Sequence, residues 1–120
     1  MKFKIDGKEY QLEFGMKFIN ELDKRYAVDY QGFKFGMGVN MAFMYLNQYN
    51  PTVIQNIIAA AIAHEKNRPT ESEIEEAIVQ YAIENDGLDK LFEQLLDELG
   101  KSPLLKSTIK RFQQAAVVQE

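Results

Sequence analysis

The chain opens on a β-hairpin, and that hairpin limits what the rest can be. Phe3 and Ile5 alternate with lysines, while Tyr10, Leu12 and Phe14 alternate with Gln11 and Glu13. Between the two runs sits Asp6-Gly7, a pair that tolerates positive φ and suits a two-residue turn. A lone two-stranded hairpin is marginal in water. Residues 1–14 therefore need a surface to lie on, either their own helices or another chain. No later stretch reads as a sheet, so the floor is expected to be helical.

The remaining sequence supplies helices in series. Phe18, Ile19, Leu22 and Tyr26 recur at helical spacing. Residues 28–38 hold Gly32, Gly36 and Gly38 among aromatics and read as an irregular loop. Residues 40–49 are apolar, Met-rich and expected to be helical. Asn50-Pro51 marks a boundary, with Pro51 suited to a first helical turn. Val53, Ile54, Ile57, Ile58, Ala61 and Ile62 then form a wide apolar stripe, expected to end at Asn67-Arg68-Pro69. Thr70 and Glu73 have the spacing of a capping box. The helix they start carries Ile74, Ala77, Ile78, Tyr81 and Ala82. Asp86 is a candidate cap for the next helix, which carries Leu88, Leu91, Phe92, Leu95, Leu96 and Leu99 and is expected to end at Gly100. Ser102-Pro103 reads as the cap and first residue of a last helix with Leu104, Leu105, Ile109 and Phe112. The tail, residues 117–120, is expected to fray. The expected fold is α+β, mainly α: one domain over residues 1–120, with the N-terminal hairpin packed on about five helices.

Composition narrows function mainly by exclusion. The chain has 120 residues and a net charge of −4, from 14 Lys plus Arg against 18 Asp plus Glu. A nucleic-acid binder carries a basic footprint, which this balance lacks. Without cysteine there is no disulfide and no thiolate metal site. The longest apolar stretch, residues 53–63, is broken by Gln55 and Asn56 and is too short to span a bilayer. These features fit a soluble, intracellular chain with no membrane partner.

Catalytic signatures are weak. His64 is the single histidine, and alone it cannot complete a usual zinc site. No Gly-x-Ser-x-Gly elbow accompanies it. Glu71, Glu73, Glu75 and Glu76 crowd a helix start, where negative charge complements the helix dipole. The glycines at 32, 36 and 38 do not match a phosphate loop. The expectation is therefore no catalytic residue, no metal and no cofactor.

Two features point to protein contacts. Tyr30, Phe33, Phe35, Met37, Tyr45 and Tyr49 concentrate aromatics and methionine, which interfaces favour. Lys106, Lys110 and Arg111 place cations opposite a Leu105–Ile109–Phe112 stripe. These nine are the candidate partner-binding residues.

Taken in order, the opening hairpin, Phe18-Ile-Asn-Glu-Leu-Asp23, Gly36-Met-Gly38 and the Pro69–Glu76 helix start resemble the tail assembly chaperones of long-tailed phages and prophages of Gram-positive bacteria. The resemblance covers most of residues 1–85, and the C-terminal part is generic amphipathic helix. It implies a non-enzymatic protein that coats the tape measure protein and helps major tail tube subunits polymerise around it. It further implies many copies, action in the host cell cytoplasm and absence from the finished virion. Two other readings remain open on the residues: a small helical DNA-binding regulator built around Thr70 or Ser102, and an enzyme with a cryptic carboxylate site. The hairpin is expected to pack on the helices around 18–26 and 53–62 by one face and to offer an edge to assembly.

Overall fold

The computed structural model describes residues 1–31 and 33–118; residues 28–30, 33–36, 112 and 115–118 are described by their backbone alone. Strands β1 (Lys2–Ile5) and β2 (Lys8–Gln11) pair antiparallel, Phe3 opposite Tyr10 and Lys4 opposite Glu9. Asp6 at φ +50° and Gly7 at φ +79° form the left-handed turn that the Asp-Gly pair demands. Phe3, Ile5 and Tyr10 are buried, and Lys2, Lys4, Glu9 and Gln11 are exposed. Beyond the strands, the Leu12 N–H donates to Met1 O at 2.9 Å and the Glu13 N–H donates to Ala61 O at 2.9 Å.

Helix α1 (Met16–Arg25) is followed by a second hairpin where a loop was expected. Strands β3 (Ala27–Tyr30) and β4 (Phe33–Gly36) pair antiparallel, Val28 opposite Phe35 and Tyr30 opposite Phe33. Gln31 takes φ +52° at the turn. The Met37 N–H donates to Tyr26 O at 3.3 Å and closes the open end. The physical reason lies in the period: Val28 and Tyr30 flank Asp29, and Phe33 and Phe35 flank Lys34. That alternation is a strand signal, and the glycines punctuate it instead of dissolving it. Gly32 lies outside the described residues.

Five further helices complete the described chain, six in all. Helix α2 is Gly38–Asn47, α3 Thr52–Ala61, α4 Glu71–Glu84, α5 Asp89–Lys101 and α6 Lys106–Val118. The α+β, mainly α architecture with an N-terminal hairpin is therefore present. At its centre lies α3, whose Val53, Ile54, Ile57, Ile58, Ala59, Ala60 and Ala61 are all buried. Helices α1, α2 and α4 pack around it. A helix apolar on most sides has its stable place inside, and each buried Val or Ile contributes roughly 1.5–3 kcal/mol.

Several boundaries moved for local reasons. Helix α3 ends at Ala61, ahead of Asn67–Pro69. In a longer helix Ala61 O would accept from the Glu65 N–H; here it accepts from Glu13, and the Glu65 N–H donates to Ile62 O at 3.0 Å. Just ahead of α3, Asn50 Oδ1 accepts from the Thr52 N–H at 3.1 Å. Thr70 and Glu73 form the expected capping box on α4. Asp86 makes no cap on α5; it sits at φ +55° in the preceding turn. Gly100 lies within α5 instead of ending it. Ser102 caps no helix with its side chain. Its hydroxyl donates to Phe14 O at 2.9 Å, joining the end of the hairpin segment to the α5–α6 corner. Helix α6 starts at Lys106, after a turn at 103–105, and runs through Val118; Gln119 and Glu120 of the expected tail lie outside the described residues.

The hairpin's floor also differs from expectation. Strand β1 runs alongside α4, and the Phe3 and Tyr81 rings lie 6.0 Å apart. Its underside feeds the same core as α3, α5 and α6, through Phe3, Ile5, Tyr10 and Leu12. The reason is that α3 is already enclosed by other helices, whereas α4 leaves Ala77 and Tyr81 half-buried for β1 to cover.

Candidate protein-interaction surfaces

A groove of about 680 Å³ separates β1 from α4. Lys2, Phe3 and Lys4 of β1 line one wall, with Asp6 and Gly7 of the turn and Glu9 of β2. Alternate strand residues point to opposite faces, so three consecutive residues share one groove only along the strand's edge. Glu73, Glu76, Ala77, Gln80, Tyr81 and Glu84 line the other wall, the i, i+3, i+4 spacing of one helical face. The groove thus sets a hairpin wall, on which Lys2 and Lys4 are accompanied by Asp6 and Glu9, against an acidic helix with a partly aromatic floor. The hairpin edge is the one the sequence already suggested for assembly; the α4 wall, which looks like an ordinary solvated helix face, becomes part of a groove only in the fold.

The expected aromatic cluster is dispersed. Tyr30, Phe33 and Phe35 lie on the second hairpin, with side chains outside the described ones. Met37 is 38% and Tyr49 44% exposed. Tyr49, at φ +55°, keeps one ring face against Phe92, with centroids 4.9 Å apart. Tyr45 is half-buried beside Tyr26 at 6.2 Å. Lys106, Lys110 and Arg111 are all exposed on α6. Two further exposed aliphatics, Val79 at 53% and Ile83 at 71%, lie one turn apart on α4. Their signal was present as an i, i+4 pair on a second apolar face of that helix, but the first face, with Ile74 and Ile78, masked it.

The polar cluster with the most connections is a clamp between helices. Arg25 Nη1 donates to Asn56 Oδ1 at 3.0 Å, and its Nη2 is paired with Glu71 Oε1. Gln55 Nε2 donates to Glu71 Oε2 at 3.0 Å, and Asn56 Nδ2 donates to the Tyr26 hydroxyl at 2.9 Å. These bonds tie α1, α3 and α4 together, and Gln55 and Asn56 are the residues that interrupt the apolar stretch in the sequence. The Arg25 guanidinium holds the Glu71 carboxyl below its usual range. Burial pushes the Tyr26 hydroxyl up. Hydrogen bonding to the Thr70 backbone lowers Glu73. General-acid chemistry needs a carboxyl raised toward neutrality, and Glu71 and Glu73 are both shifted the other way. His64 stands 3.5 Å from both Glu13 and Glu65 at the α3 exit. The helix after Thr70 carries five glutamates and no Lys or Arg, which sets it against DNA phosphates.

The family model for the phage tail assembly chaperone protein, TAC, matches residues 2–114. The chain belongs to the phage tail assembly chaperone family. The match extends past the residues that first carried the resemblance, so α5 and most of α6 belong to the family pattern as well. No curated protein and no solved structure matches the chain significantly. On this chaperone Met37, Tyr49, the Val79–Ile83 pair and the α6 cations Lys106, Lys110 and Arg111 are exposed. Among the described residues, no helix is long and apolar enough to cross a membrane.

Proposed function

We propose that this chain is a non-enzymatic tail assembly chaperone that binds the tape measure protein and promotes polymerisation of the major tail tube protein around it. The observation that carries this reading is the family match over residues 2–114. The structure supports it in a second way. The polar groups that most resemble a reaction centre, Arg25, Glu71 and Tyr26, are engaged in holding three helices together. On this reading the protein acts in the host cell cytoplasm, in many copies, and leaves before the virion is complete. Met37, Tyr45, Tyr49, the second hairpin with Tyr30, Phe33 and Phe35, and the Lys106–Lys110–Arg111 face are the residues offered to partners.

Co-expression with the tape measure protein tests the reading. A soluble complex holding several chaperone copies per tape measure chain is expected. Failure to co-purify with either tape measure or tube protein, at concentrations where the chaperone is folded, would overturn it.

A further inference from the structure

The β1–α4 groove is shaped for a strand. In a hairpin closed by a two-residue turn, the pair next to the turn exchanges its hydrogen bonds inward, and the parity then alternates. Ile5 and Lys8 are that pair, and the Leu12 N–H to Met1 O bond keeps the same parity at the far end. Lys2 and Lys4 therefore turn their N–H and C=O groups away from β2. Those groups lie along the edge that borders the groove. The opposite wall, from Glu73 to Glu84, is twelve residues of helix, about 16 Å from first to last. That length matches about five residues of extended chain.

Charge and polarity say what the strand carries. A segment added to β1 points alternate side chains toward α4 and toward solvent. Those facing α4 meet Glu73, Glu76 and Glu84, with Ala77 and Tyr81 between them. Basic side chains, and one aromatic over Tyr81, fit there. Those facing solvent lie across from Lys2 and Lys4, where acidic side chains fit. None of these five charged groups forms an ion pair with another described residue of the chain; Glu73 Oε1 accepts from the Thr70 N–H at 2.9 Å and Glu84 Oε1 from Gln80 Nε2 at 2.9 Å.

We infer that the β1–α4 groove binds an extended segment of a partner protein by strand addition, one in which basic residues facing α4 alternate with acidic residues facing Lys2 and Lys4. This rests on the reading that the protein works by holding protein partners, and it names one mode of holding.

The test uses the full chain and a synthetic peptide alternating lysine with glutamate around a central tyrosine. A second peptide has the same composition but groups its lysines in one block and its glutamates in another. The alternating peptide is expected to bind more tightly and to shift the Lys2 and Lys4 amide resonances. Lys4→Pro removes an outward N–H and leaves the internal ladder intact. Glu76→Lys reverses one exposed charge on α4. Each is expected to weaken the alternating peptide by roughly tenfold, the effect of one or two lost contacts. Lys4→Pro is first checked by its thermal melt, and Glu76→Lys carries the test if that variant does not fold. Equal binding of the two peptides, binding unchanged in Glu76→Lys, or no binding at all would overturn the inference. If tape measure protein still co-purifies in that case, the chaperone reading stands and only the groove is wrong.

Discussion

At Gly38 a β-carbon would come within 2.6 Å of Leu22 C and Asp23 N, both backbone atoms of α1. The same glycine donates its N–H to Asp23 Oδ1 at 2.9 Å. Asp23 thereby serves the N-terminus of α2 from a neighbouring helix, and no residue of α2's own cap does so with a side chain. Gly38→Ala forces backbone apart where neither side is free to give. The expected loss is about 1–3 kcal/mol, the usual cost of overpacking, read as a lower urea midpoint with an unchanged slope. An unchanged midpoint would show that α1 and α2 separate easily here. In the sequence Gly38 looked like one more loop glycine; its role depends on a residue fifteen positions earlier, which no local pattern reveals. Ser102 is similar. It had the look of a helix cap, yet its hydroxyl bonds Phe14 O, 88 positions away.

Among the elements, those built from local rules were legible. Asp6-Gly7 required a left-handed turn and has one, and Thr70 with Glu73 required a capping box and has one. The second hairpin followed the same rules but was hidden because three glycines outweighed a four-residue alternation on either side of Gln31-Gly32. Element ends set by other elements were not legible. Ala61 ends α3 because Glu13 from the hairpin segment takes its carbonyl. The clamp across α1, α3 and α4 belongs to this scale too, and its pH dependence follows from Glu71. The folded-state pKa of Glu71 lies below its unfolded value, because Arg25 favours the carboxylate. Its contribution is therefore present above the ordinary carboxylate pKa and is lost as pH falls through the folded value. The Glu71 side chain is 55% exposed, so Glu71→Gln is expected to cost only about 0.5 kcal/mol at neutral pH. The difference from wild type should shrink as urea midpoints are followed to acid pH and vanish once the pH lies below the folded-state pKa of Glu71. A difference that persists at the acid end would mean that Glu71 acts through packing and not through charge.

At the scale of the whole molecule, the described residues share a core that runs from the N-terminal hairpin to α6, and the family pattern spans nearly the same length. The candidate surfaces are distributed around that core: the groove on β1 and α4, an aliphatic pair on the same α4, aromatics near α2, and cations on α6. Such a layout suits a protein that touches more than one partner, or copies of itself, at once. Residue types alone suggested two of these surfaces. The hairpin edge was legible as well; that it faces the glutamates of α4 across a groove needed the fold.

As proposed above, this chain promotes tail tube growth around the tape measure protein without becoming part of the tube. Purified tube protein mixed with tape measure protein, with and without the chain, and followed by light scattering and electron microscopy, tests that claim directly. The account predicts tubes of uniform length only when the chain is present, and none of the chain in the washed tubes. Tubes of the same number and length in its absence, or tubes that retain it, would contradict the claim.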